Sequence, residues 1–382
     1  MQLNPIWQGL PSYPFPRLRA LLDGSAPDHN DPIDLTLGAP KQPPPDFVRP
    51  IIAEATLDFG KYPPIAGTPA LKVAIADWLR LRYRAHVAER AILPLVGTRE
   101  GLYMLAQLAV RPGRDHVLLP NPYYPAYSAS ALAMTAKPVY MTCDASTGFL
   151  PDLGALSTAT LERTALMFLC SPSNPQGAAA TKGYLSNAIS LARKHGFLLA
   201  VDECYAEIWT HEPPCGALEA AGDDHANLVV FHSLSKRSNV PGMRSGFIAG
   251  DQRVIAAFEK LRSYGGPTMP LPLQAASAAL WSDQTHVDAA RALYEAKFAL
   301  AEDALGITRP AGGFFLWLPV ENDEKTALAL WKEHGVKVLP GRYLASDSEK
   351  GQNPGENHIR VALVEGVSRT KAALDRLAPA LQ

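Results

Sequence analysis

The chain has 382 residues, with 36 Lys or Arg against 37 Asp or Glu, so its formal net charge is −1. This length is too great for one simple hydrophobic core and predicts two lobes. The near-neutral charge balance argues against a nucleic-acid-binding surface, and the 34 Pro and 28 Gly, spread through the chain, indicate tight turns rather than a disordered segment.

Cysteine spacing and the lengths of the apolar runs argue against two further classes. The four cysteines form no C-x-x-C pair and no Cys/His cluster with zinc spacing, so we expect reduced thiols and no metal site. The amino terminus lacks a basic segment followed by an apolar one, and no apolar run approaches the ~20 residues of a membrane span. We therefore expect a cytoplasmic protein without a membrane partner.

The first 45 residues are irregular and rich in proline, with one short helical pattern at Phe15–Leu22. We expect residues 1–45 to form an arm that joins a smaller C-terminal domain. A helix start follows, where Thr68 is predicted as the N-cap and Pro69 as the first helical residue. Apolar residues then recur at helical spacing through Leu71–Leu79, which indicates one buried helix face.

Between residues 92 and 250, short apolar runs alternate with helical stretches such as Tyr184–His195. Continuous apolar runs of this length predict strands buried on both faces of a mostly parallel sheet, with helices as crossovers. The predicted strands are Ile92–Val96, His116–Leu119, Ala165–Leu169, Phe197–Val201, Leu228–Phe231 and Phe247–Ala249.

The last third of the chain has a different pattern. A long helical region over 251–305 is followed by predicted strands and a helix, which indicate a small α+β domain. The elements predicted there are the strands Gly313–Leu318, Val336–Leu339 and His358–Leu363 and the helix Thr326–His334. We therefore predict an α/β protein with a large domain over residues 46–280 and a small domain over residues 281–382.

Polar side chains follow three of the predicted strands. Asn174 comes after the third strand, Asp202 and Tyr205 after the fourth, and Lys236 after the fifth. Ligands in open α/β sheets bind at the carboxyl ends of the strands, so we expect these side chains to meet there. Thr98 is predicted as the N-cap of a nearby helix, whose backbone N–H groups would attract an anion such as phosphate.

The segment around Lys236 carries the most chemical information. Lys236 follows the hydroxyls of Ser233 and Ser235, and Arg244 comes shortly after it. An amine held at a strand end can bind an aldehyde covalently while neighbouring hydroxyls and a guanidinium bind a phosphate, which describes a site for pyridoxal 5′-phosphate (PLP). Lys236 alone would more often be a surface lysine, and its spacing to Arg244 makes that interpretation the weaker one.

Three motifs agree in identity, order and spacing with one family. They are S-P-x-N-P-x-G at 171–177, V-D-E-x-Y at 201–205 and S-x-S-K…P-G-x-R-x-G at 233–246. The sequence resembles the PLP-dependent aminotransferases of the aspartate aminotransferase family, from Tyr13 to Arg360. The resemblance implies PLP-dependent transferase fold type I, with a mostly parallel seven-stranded sheet. It also implies a homodimer with shared active sites that acts on amino acids and 2-oxo acids.

The resemblance implies catalytic roles for Lys236, Asp202 and Tyr205. Lys236 matches the lysine that forms a Schiff base with the cofactor and later moves a proton. Asp202 matches the carboxylate that keeps the pyridine nitrogen protonated, although an isolated aspartate here would more often be a helix N-cap. Tyr205 and Asn174 match the partners of the ring 3′-oxygen.

Further cofactor contacts are implied in the same way. Tyr124 matches the aromatic residue stacked on the ring, while Tyr123 and Tyr127 leave that register open. Tyr62 matches a tyrosine that family members insert into the phosphate site of the neighbouring subunit. The remaining residues implied to bind the phosphate are Thr98, Arg99, Glu100, Ser233, Ser235 and Arg244.

Substrate-binding residues are implied at three positions. Arg360 matches the arginine that binds the substrate α-carboxylate, because a planar guanidinium fork suits that anion, although a solvent-facing strand residue is the alternative. Gly38 would donate its backbone N–H to the same carboxylate, and Asn174 also lies on this side. Basic residues that could bind a more distant carboxylate are left unassigned: Lys41, Arg99, Arg237 and Arg262.

Within the family, several segments resemble the bacterial succinyldiaminopimelate aminotransferases. The segments are Tyr13–Leu22, Asp202–Ile208, Phe231–Phe247 and Val338–Leu344. The resemblance implies amino transfer between N-succinyl-LL-2,6-diaminopimelate and 2-oxoglutarate in lysine biosynthesis. Acetylornithine, aspartate or aromatic donors and a C–S lyase reaction stay open, because one fold supports several reactions. The neutral charge balance argues against a DNA-binding regulator built on the same fold.

Overall fold

The computed structural model describes residues 1–348 and 351–381. Its strands are β1 (Ile33–Asp34), β2 (Ile92–Leu95), β3 (His116–Asn121), β4 (Lys137–Thr142), β5 (Thr164–Cys170), β6 (Leu198–Asp202), β7 (Leu228–Ser233), β8 (Gly246–Gly250), β9 (Phe315–Pro319), β10 (Val336–Lys337), β11 (Leu339–Pro340) and β12 (His358–Ala362). Its α-helices are α1 (Pro14–Leu22), α2 (Val48–Glu54), α3 (Pro69–Tyr83), α4 (Thr98–Met104), α5 (Ala106–Ala109), α6 (Pro125–Ala133), α7 (Thr158–Arg163), α8 (Lys182–His195), α9 (Ala217–Ala221), α10 (Leu234–Arg237), α11 (Gln252–Gly265), α12 (Leu271–Ser282), α13 (Thr285–Leu305), α14 (Asp323–His334) and α15 (Val367–Leu381). None of the helices in this described part of the chain is long and apolar enough to cross a bilayer.

The central sheet has seven strands in the order β2-β8-β7-β6-β5-β3-β4. Neighbouring strands pair in parallel except at β8, which runs antiparallel to both β2 and β7. The predicted α/β fold with a mostly parallel seven-stranded sheet is confirmed. The apolar runs identified six of these strands and missed β4, an edge strand whose ends are exposed and whose sequence therefore lacks a continuous apolar run.

Apolar cores cover both faces of this sheet. On β3, Val117 and Leu119 pack into one core, whereas Leu118 packs into the other. Helices α3, α8 and α12 contribute to the core that contains Leu118, and α4, α6 and α11 to the opposite one. Burial on both faces explains why these strands read as unbroken apolar runs and not as alternating ones.

The C-terminal part has its own sheet and core. Strands β11, β12 and β9 form an antiparallel sheet in that order, and a third core lies between it and helices α13, α14 and α15. The N-terminal arm joins this part of the molecule, since β1 pairs in parallel with β10 and α1 packs beside α14. The run predicted as one strand over Val336–Leu339 is divided between β10 and β11. The domain limits at residues 45 and 280 stay predictions.

Two predicted helix starts differ in detail from the structure. Helix α4 begins at Thr98 itself, and Gly97 is the N-cap with a left-handed φ of 75°, so the prediction of Thr98 as the N-cap is wrong by one residue. Thr68 does occupy the N-cap position of α3, but its side chain makes no capping hydrogen bond. Glycine takes the left-handed region without the steric cost that other residues meet, and this governs the turn before α4.

Candidate active site

A cavity of about 280 Å³ lies at the carboxyl ends of β5, β6 and β7. Most residues predicted for the site line this cavity: Gly38, Thr98, Arg99, Tyr124, Asn174, Asp202, Tyr205, Ser233, Ser235, Lys236, Arg244 and Arg360. Its position follows the rule that parallel strands direct their following loops to one edge of the sheet. The lining does not include Glu100 or Tyr62.

Lys236 lies on α10, the single helical turn that follows β7. The Ser233 hydroxyl caps that turn by accepting a hydrogen bond from the Ser235 backbone N–H at 3.1 Å. The Lys236 ammonium donates to the Gly38 carbonyl and faces the Phe314 ring, 5.4 Å from its centroid. Burial lowers the pKa of this amine to about 8. A substantial fraction of the amine is therefore neutral, and nucleophilic, at mildly alkaline pH.

Asp202, at the end of β6, presents a buried carboxylate to the cavity. The Tyr127 hydroxyl donates to its Oδ2 at 2.8 Å, and the Cys204 backbone N–H donates to its Oδ1 at 3.2 Å. Burial raises the pKa of Asp202, while these hydrogen bonds act in the opposite direction. A cationic N–H group in the cavity is the ligand that such a carboxylate would stabilise most.

Tyr127 is a site residue that sequence reasoning did not assign. It is fully buried on α6, and its ring stacks on Phe168 with a centroid distance of 4.7 Å and an interplanar angle of 10°. The sequence indicates Tyr127 only as an alternative to Tyr124 for the aromatic residue stacked on the ring. Its spacing after Tyr124 places it on the helix face toward the sheet, which was the available signal.

Arg244 and two serines form the basic end of the cavity. Arg244 donates through Nη1 to the Pro241 carbonyl at 2.8 Å and has no Asp or Glu partner among the described residues. A Cβ at position 97 would overlap this guanidinium, so Gly97 is required for Arg244 to pass beside α4. An unpaired cation beside the Ser233 and Ser235 hydroxyls matches the predicted phosphate site.

Arg360, on β12, is a second cation of the cavity lining without an Asp or Glu partner among the described residues. Its Nη1 donates to Asn174 Oδ1 at 3.0 Å and its Nη2 to the Thr36 carbonyl at 2.6 Å, while Nε has no partner among the described residues. The side chain is buried, and burial lowers the pKa of the guanidinium to about 10. A buried cation without an anion is costly, so the geometry favours a carboxylate ligand here. The alternative of a solvent-facing Arg360 is wrong.

Tyr205 and Asn174 supply hydrogen-bond donors without partners. Among the residues that the structure describes, neither the Tyr205 hydroxyl nor the Asn174 amide nitrogen makes a hydrogen bond, and both residues line the cavity. Burial keeps the Tyr205 phenol protonated by raising its pKa. Two free donors on one wall suit a single acceptor oxygen, as the predicted pairing with a ring oxygen requires.

Four predicted cofactor contacts lie at the edge of the cavity or outside it. Arg99 donates through Nε to the Tyr124 hydroxyl at 2.6 Å, and both side chains lie at the mouth of the cavity. The Glu100 carboxylate turns away and pairs with Arg262, Nε to Oε1, at 2.7 Å. Tyr62 is fully exposed and does not line the cavity of its own chain. A residue that reaches into a partner subunit would have this exposure in a single chain.

The unassigned basic residues separate into two groups. Arg237 and Arg262 are buried and bond to backbone carbonyls, and Lys41 pairs with Glu365. Arg99 alone of the four lines the cavity, and it has no Asp or Glu partner among the described residues. Arg99 is therefore the one of these candidates that is available to a ligand.

The residues present fit PLP. One cavity is lined by a nucleophilic amine, a buried carboxylate and an unpaired guanidinium, namely those of Lys236, Asp202 and Arg244. Those three groups match the aldehyde, the pyridine nitrogen and the phosphate of the cofactor. The two unpaired donors of Tyr205 and Asn174 suit its ring oxygen, so every polar part of PLP has a complement in the lining.

Comparison with known proteins identifies the family. The model for aminotransferase class I and II matches residues 30–380. An LL-diaminopimelate aminotransferase from Desulforudis audaxviator is 32% identical over 97% of this chain and 95% of its own length. A 4-dedimethylamino-4-oxo-anhydrotetracycline transaminase from Streptomyces rimosus is 33% identical, over 96% of this chain and 99% of its own. The crystal structure of an aminotransferase from Neisseria meningitidis has 37% identity, a TM-score of 0.94 and full coverage of both chains.

The fold and the comparisons together define a fold type I aminotransferase. The chain belongs to the class I and II aminotransferases, which are PLP-dependent enzymes. The predictions of an aminotransferase and of PLP as its cofactor are therefore confirmed, whereas the roles of the individual residues and the substrate are matters of proposal.

Proposed function

We propose that Lys236 holds PLP covalently and that the residues around it transfer an amino group between an amino acid and a 2-oxo acid. One observation carries the proposal: the Lys236 amine, with its pKa lowered to about 8 by burial, lies in one cavity with the Asp202 carboxylate and the unpaired Arg244 guanidinium. PLP, when bound, supplies an electrophilic carbonyl and a ring that takes up the electron pair left on the substrate α-carbon.

The protein groups then have separate tasks. The Asp202 carboxylate holds a proton on the pyridine nitrogen, and the Tyr127 hydroxyl keeps that carboxylate oriented. Arg244, Ser233 and Ser235 hold the phosphate. The Tyr205 hydroxyl and the Asn174 amide would donate to the ring oxygen. These contacts fix the cofactor, so that the reacting atoms face Lys236.

Arg360 and Lys236 act on the substrate. The Arg360 guanidinium binds the α-carboxylate and so fixes which bond of the α-carbon faces the lysine. The Lys236 amine would accept the α-proton at Nζ and deliver it to the former aldehyde carbon of the cofactor within the same half-reaction. In the second half-reaction it would move a proton in the reverse direction. A base with a pKa near the working pH performs both transfers well, which the lowered pKa of Lys236 provides.

We propose N-succinyl-LL-2,6-diaminopimelate as the amino substrate, with 2-oxoglutarate as acceptor and glutamate as product. Apart from Arg244, which is proposed to hold the phosphate, the cavity has two arginines without acidic partners among the described residues, the buried Arg360 and the mouth residue Arg99. A diacid suits these two cations. The resemblance of the lysine segment and of Val338–Leu344 to succinyldiaminopimelate aminotransferases supports the same substrate.

LL-diaminopimelate itself is the second candidate. Relatives named LL-diaminopimelate aminotransferase are 32% identical over 97% of this chain and 30% identical over 96% of it. The two substrates share the reacting amino acid end and differ at the far amine, which is a cation in the free diacid and a neutral amide carrying a further carboxylate in the succinylated one.

Single-turnover half-reactions decide between these substrates. The PLP-loaded enzyme is mixed with N-succinyl-LL-2,6-diaminopimelate, LL-diaminopimelate, N-acetylornithine or glutamate, and the change in cofactor absorbance is followed. We expect the succinylated diacid to show the highest kcat/KM among the non-glutamate donors. A higher value for LL-diaminopimelate or N-acetylornithine would remove the proposed substrate and leave the aminotransferase chemistry intact. Ammonia release without a 2-oxo acid would instead indicate a lyase.

We also propose that the enzyme is a homodimer with shared active sites. The short segment over residues 57–62 has three exposed large apolar side chains, Leu57 (89% exposed), Phe59 (59%) and Tyr62 (101%). A further exposed aromatic side chain is Tyr264 (86%), on α11. Large apolar residues grouped in this way are typical of a surface covered by another chain. Tyr62 at this surface would be directed at the phosphate site of the partner subunit.

A further inference from the structure

A second cavity, of about 260 Å³, adjoins the active-site cavity. We call it the arm compartment, because residues 10–14 and 17 of the N-terminal arm line it. Residues 125, 126, 128 and 129 of α6 and residues 343–345 line it as well. Arg99 and Tyr124 line both cavities, so the two spaces meet at the mouth of the site. A substrate bound at Lys236 can therefore extend into the arm compartment.

The arm compartment is basic and otherwise largely apolar and aromatic. Its charged lining residues are Arg17 and Arg99, and no Asp or Glu lines it in the described part of the chain. The half-buried Arg17 guanidinium lies over the Tyr343 ring, 4.0 Å from its centroid, and makes no ion pair with a described acidic residue. Tyr343 is itself held by Glu324, to which its hydroxyl donates at 2.5 Å. Arg17 is thus positioned by an aromatic ring while its hydrogen-bond donors stay available.

We propose that the arm compartment binds the acyl end of the amino substrate and that Arg17 pairs with its terminal carboxylate. This inference rests on the proposed function, which supplies a substrate with three carboxylates. One carboxylate lies beside the reacting amine and suits Arg360, and the other two lie at the far end of the diacid and at the end of the succinyl group. Arg99 and Arg17 provide one guanidinium for each, and the apolar walls accommodate the methylene groups between them.

The same charges disfavour the unacylated diacid. LL-diaminopimelate would carry its far ammonium toward a compartment with two guanidiniums and no acidic lining residue in the described part of the chain. Acylation removes that positive charge, and a succinyl group adds a negative one. Discrimination by the arm compartment therefore combines attraction for the succinylated substrate with repulsion of the free diamine.

Arg17→Gln tests the proposal by its effect on two matched substrates. For the N-succinyl substrate we expect the half-saturating concentration to rise roughly tenfold with little change in the maximal rate, because Arg17 does not touch the reacting atoms. The N-acetyl analogue, which lacks the terminal carboxylate, and glutamate should be unaffected. Arg17→Lys should restore part of the preference. Arg19→Gln is the matched control, since Arg19 is exposed on the same helix and does not line the compartment.

Equal losses for the succinyl and acetyl substrates would overturn the proposal and assign Arg17 a purely structural role against Tyr343. A second measurement is independent of the reaction: calorimetric binding of undecanedioate and of undecanoate to the PLP-loaded enzyme. Both lack an amine, and their chain matches the span from the reacting carboxylate to the succinyl carboxylate of the substrate. We expect undecanedioate to bind more tightly, because its second carboxylate reaches Arg17, and Arg17→Gln to abolish the difference. If Arg17→Gln abolishes the difference in binding but the succinylated diacid is not a substrate, the arm compartment does bind a carboxylate. In that case only the proposed substrate is wrong. If Arg17→Gln changes neither measurement, the compartment proposal is wrong.

Discussion

Burial sets the acid–base behaviour of the groups that face the cavity. It lowers the pKa of Lys236 to about 8 and that of Arg360 to about 10, and it raises the pKa of Asp202. Each group is thus shifted away from its charged form until a ligand of opposite charge arrives. In the protein without cofactor, the charged forms of these groups are buried without a partner of opposite charge, which costs free energy. Binding of PLP and substrate would supply those partners and lower that cost.

The first prediction concerns the pH dependence of cofactor capture. The neutral form of Lys236 attacks the aldehyde, and its pKa is lowered to about 8, so capture of PLP by the apoenzyme should accelerate with pH up to about 8 and then level off. Stopped-flow absorbance at a series of pH values measures this. Free Nα-acetyl-lysine, with a pKa of ~10.4, is the control and should continue to accelerate beyond that pH. An enzyme profile that follows the free lysine would contradict the burial argument.

A second prediction concerns Tyr127, whose hydroxyl donates to the buried Asp202 at 2.8 Å. That bond lowers the pKa of Asp202, so Tyr127→Phe should raise it and move the acidic limb of the kcat/KM profile to higher pH. We expect kcat/KM to fall roughly tenfold, the order for loss of one hydrogen bond to a charged group. Tyr184→Phe, which loses a bond to the Pro151 carbonyl outside the cavity, should leave the profile unchanged. Equal effects of the two variants would exclude a specific role.

At the level of elements, the strand ends and the turns that follow them determine where the chemistry lies. Strands β5, β6 and β7 are parallel neighbours, so the residues after each strand meet at one edge. The turn between β2 and α4 contributes the wall beside Arg244, because Gly97 adopts a φ of 75° and leaves room for the guanidinium. A backbone feature of one element thereby positions a side chain from another.

Gly97→Ala tests this arrangement against Gly113→Ala. Both glycines have positive φ values, 75° and 79°, which disfavour a side chain with a Cβ, so each substitution should cost roughly 1–3 kcal/mol of stability from backbone strain. A Cβ at position 97 would also overlap Arg244, whereas a Cβ at position 113 meets open space. We expect only Gly97→Ala to weaken PLP binding beyond its effect on the melting temperature. PLP affinity in Gly97→Ala equal to that in Gly113→Ala would show that Arg244 is not displaced.

The sequence predicted the strands that are buried along their whole length. It missed features that depend on the neighbours a residue acquires in the folded chain. Unbroken apolar runs identified the strands buried on both faces, but β4 lies at an edge and has no such run. The N-cap of α4 was placed one residue late because the left-handed φ of Gly97 is a property of the folded turn. Tyr127 was not assigned since its contact with Asp202 joins residues distant in sequence. Most cavity residues could be predicted from the motifs, because each motif lies at the end of a strand and those ends meet at one edge of the sheet.

At the scale of the whole molecule, the N-terminal arm and the exposed apolar segment extend the site beyond the large sheet. The arm packs against the C-terminal part and forms a wall of the arm compartment, so the proposed acyl site includes a segment distant in sequence from Lys236. The described part of the chain leaves the Leu57 and Tyr62 side chains exposed. Both features are consistent with a site completed by parts of the molecule outside the sheet.

Mixing two defective variants tests for shared active sites. Lys236→Ala lacks the nucleophile, and Tyr62→Ala lacks the aromatic side chain proposed to reach the partner subunit. We expect Tyr62→Ala to weaken PLP binding without lowering chain stability, since this fully exposed side chain supports nothing in its own subunit. Refolding the two variants together should restore wild-type PLP affinity at one site of each hybrid dimer. A mixture no better than Tyr62→Ala alone would show that the sites are not shared.

The position of the covalent bond to PLP is the most direct test of the account. The PLP-loaded enzyme is reduced with borohydride, digested and analysed by peptide mass spectrometry. We predict a pyridoxyl group on Lys236, in the peptide that also contains Ser235, and none after the same treatment of Lys236→Ala. A stoichiometric pyridoxyl group on any other lysine, or PLP-dependent amino transfer by Lys236→Ala at the wild-type rate, would contradict it.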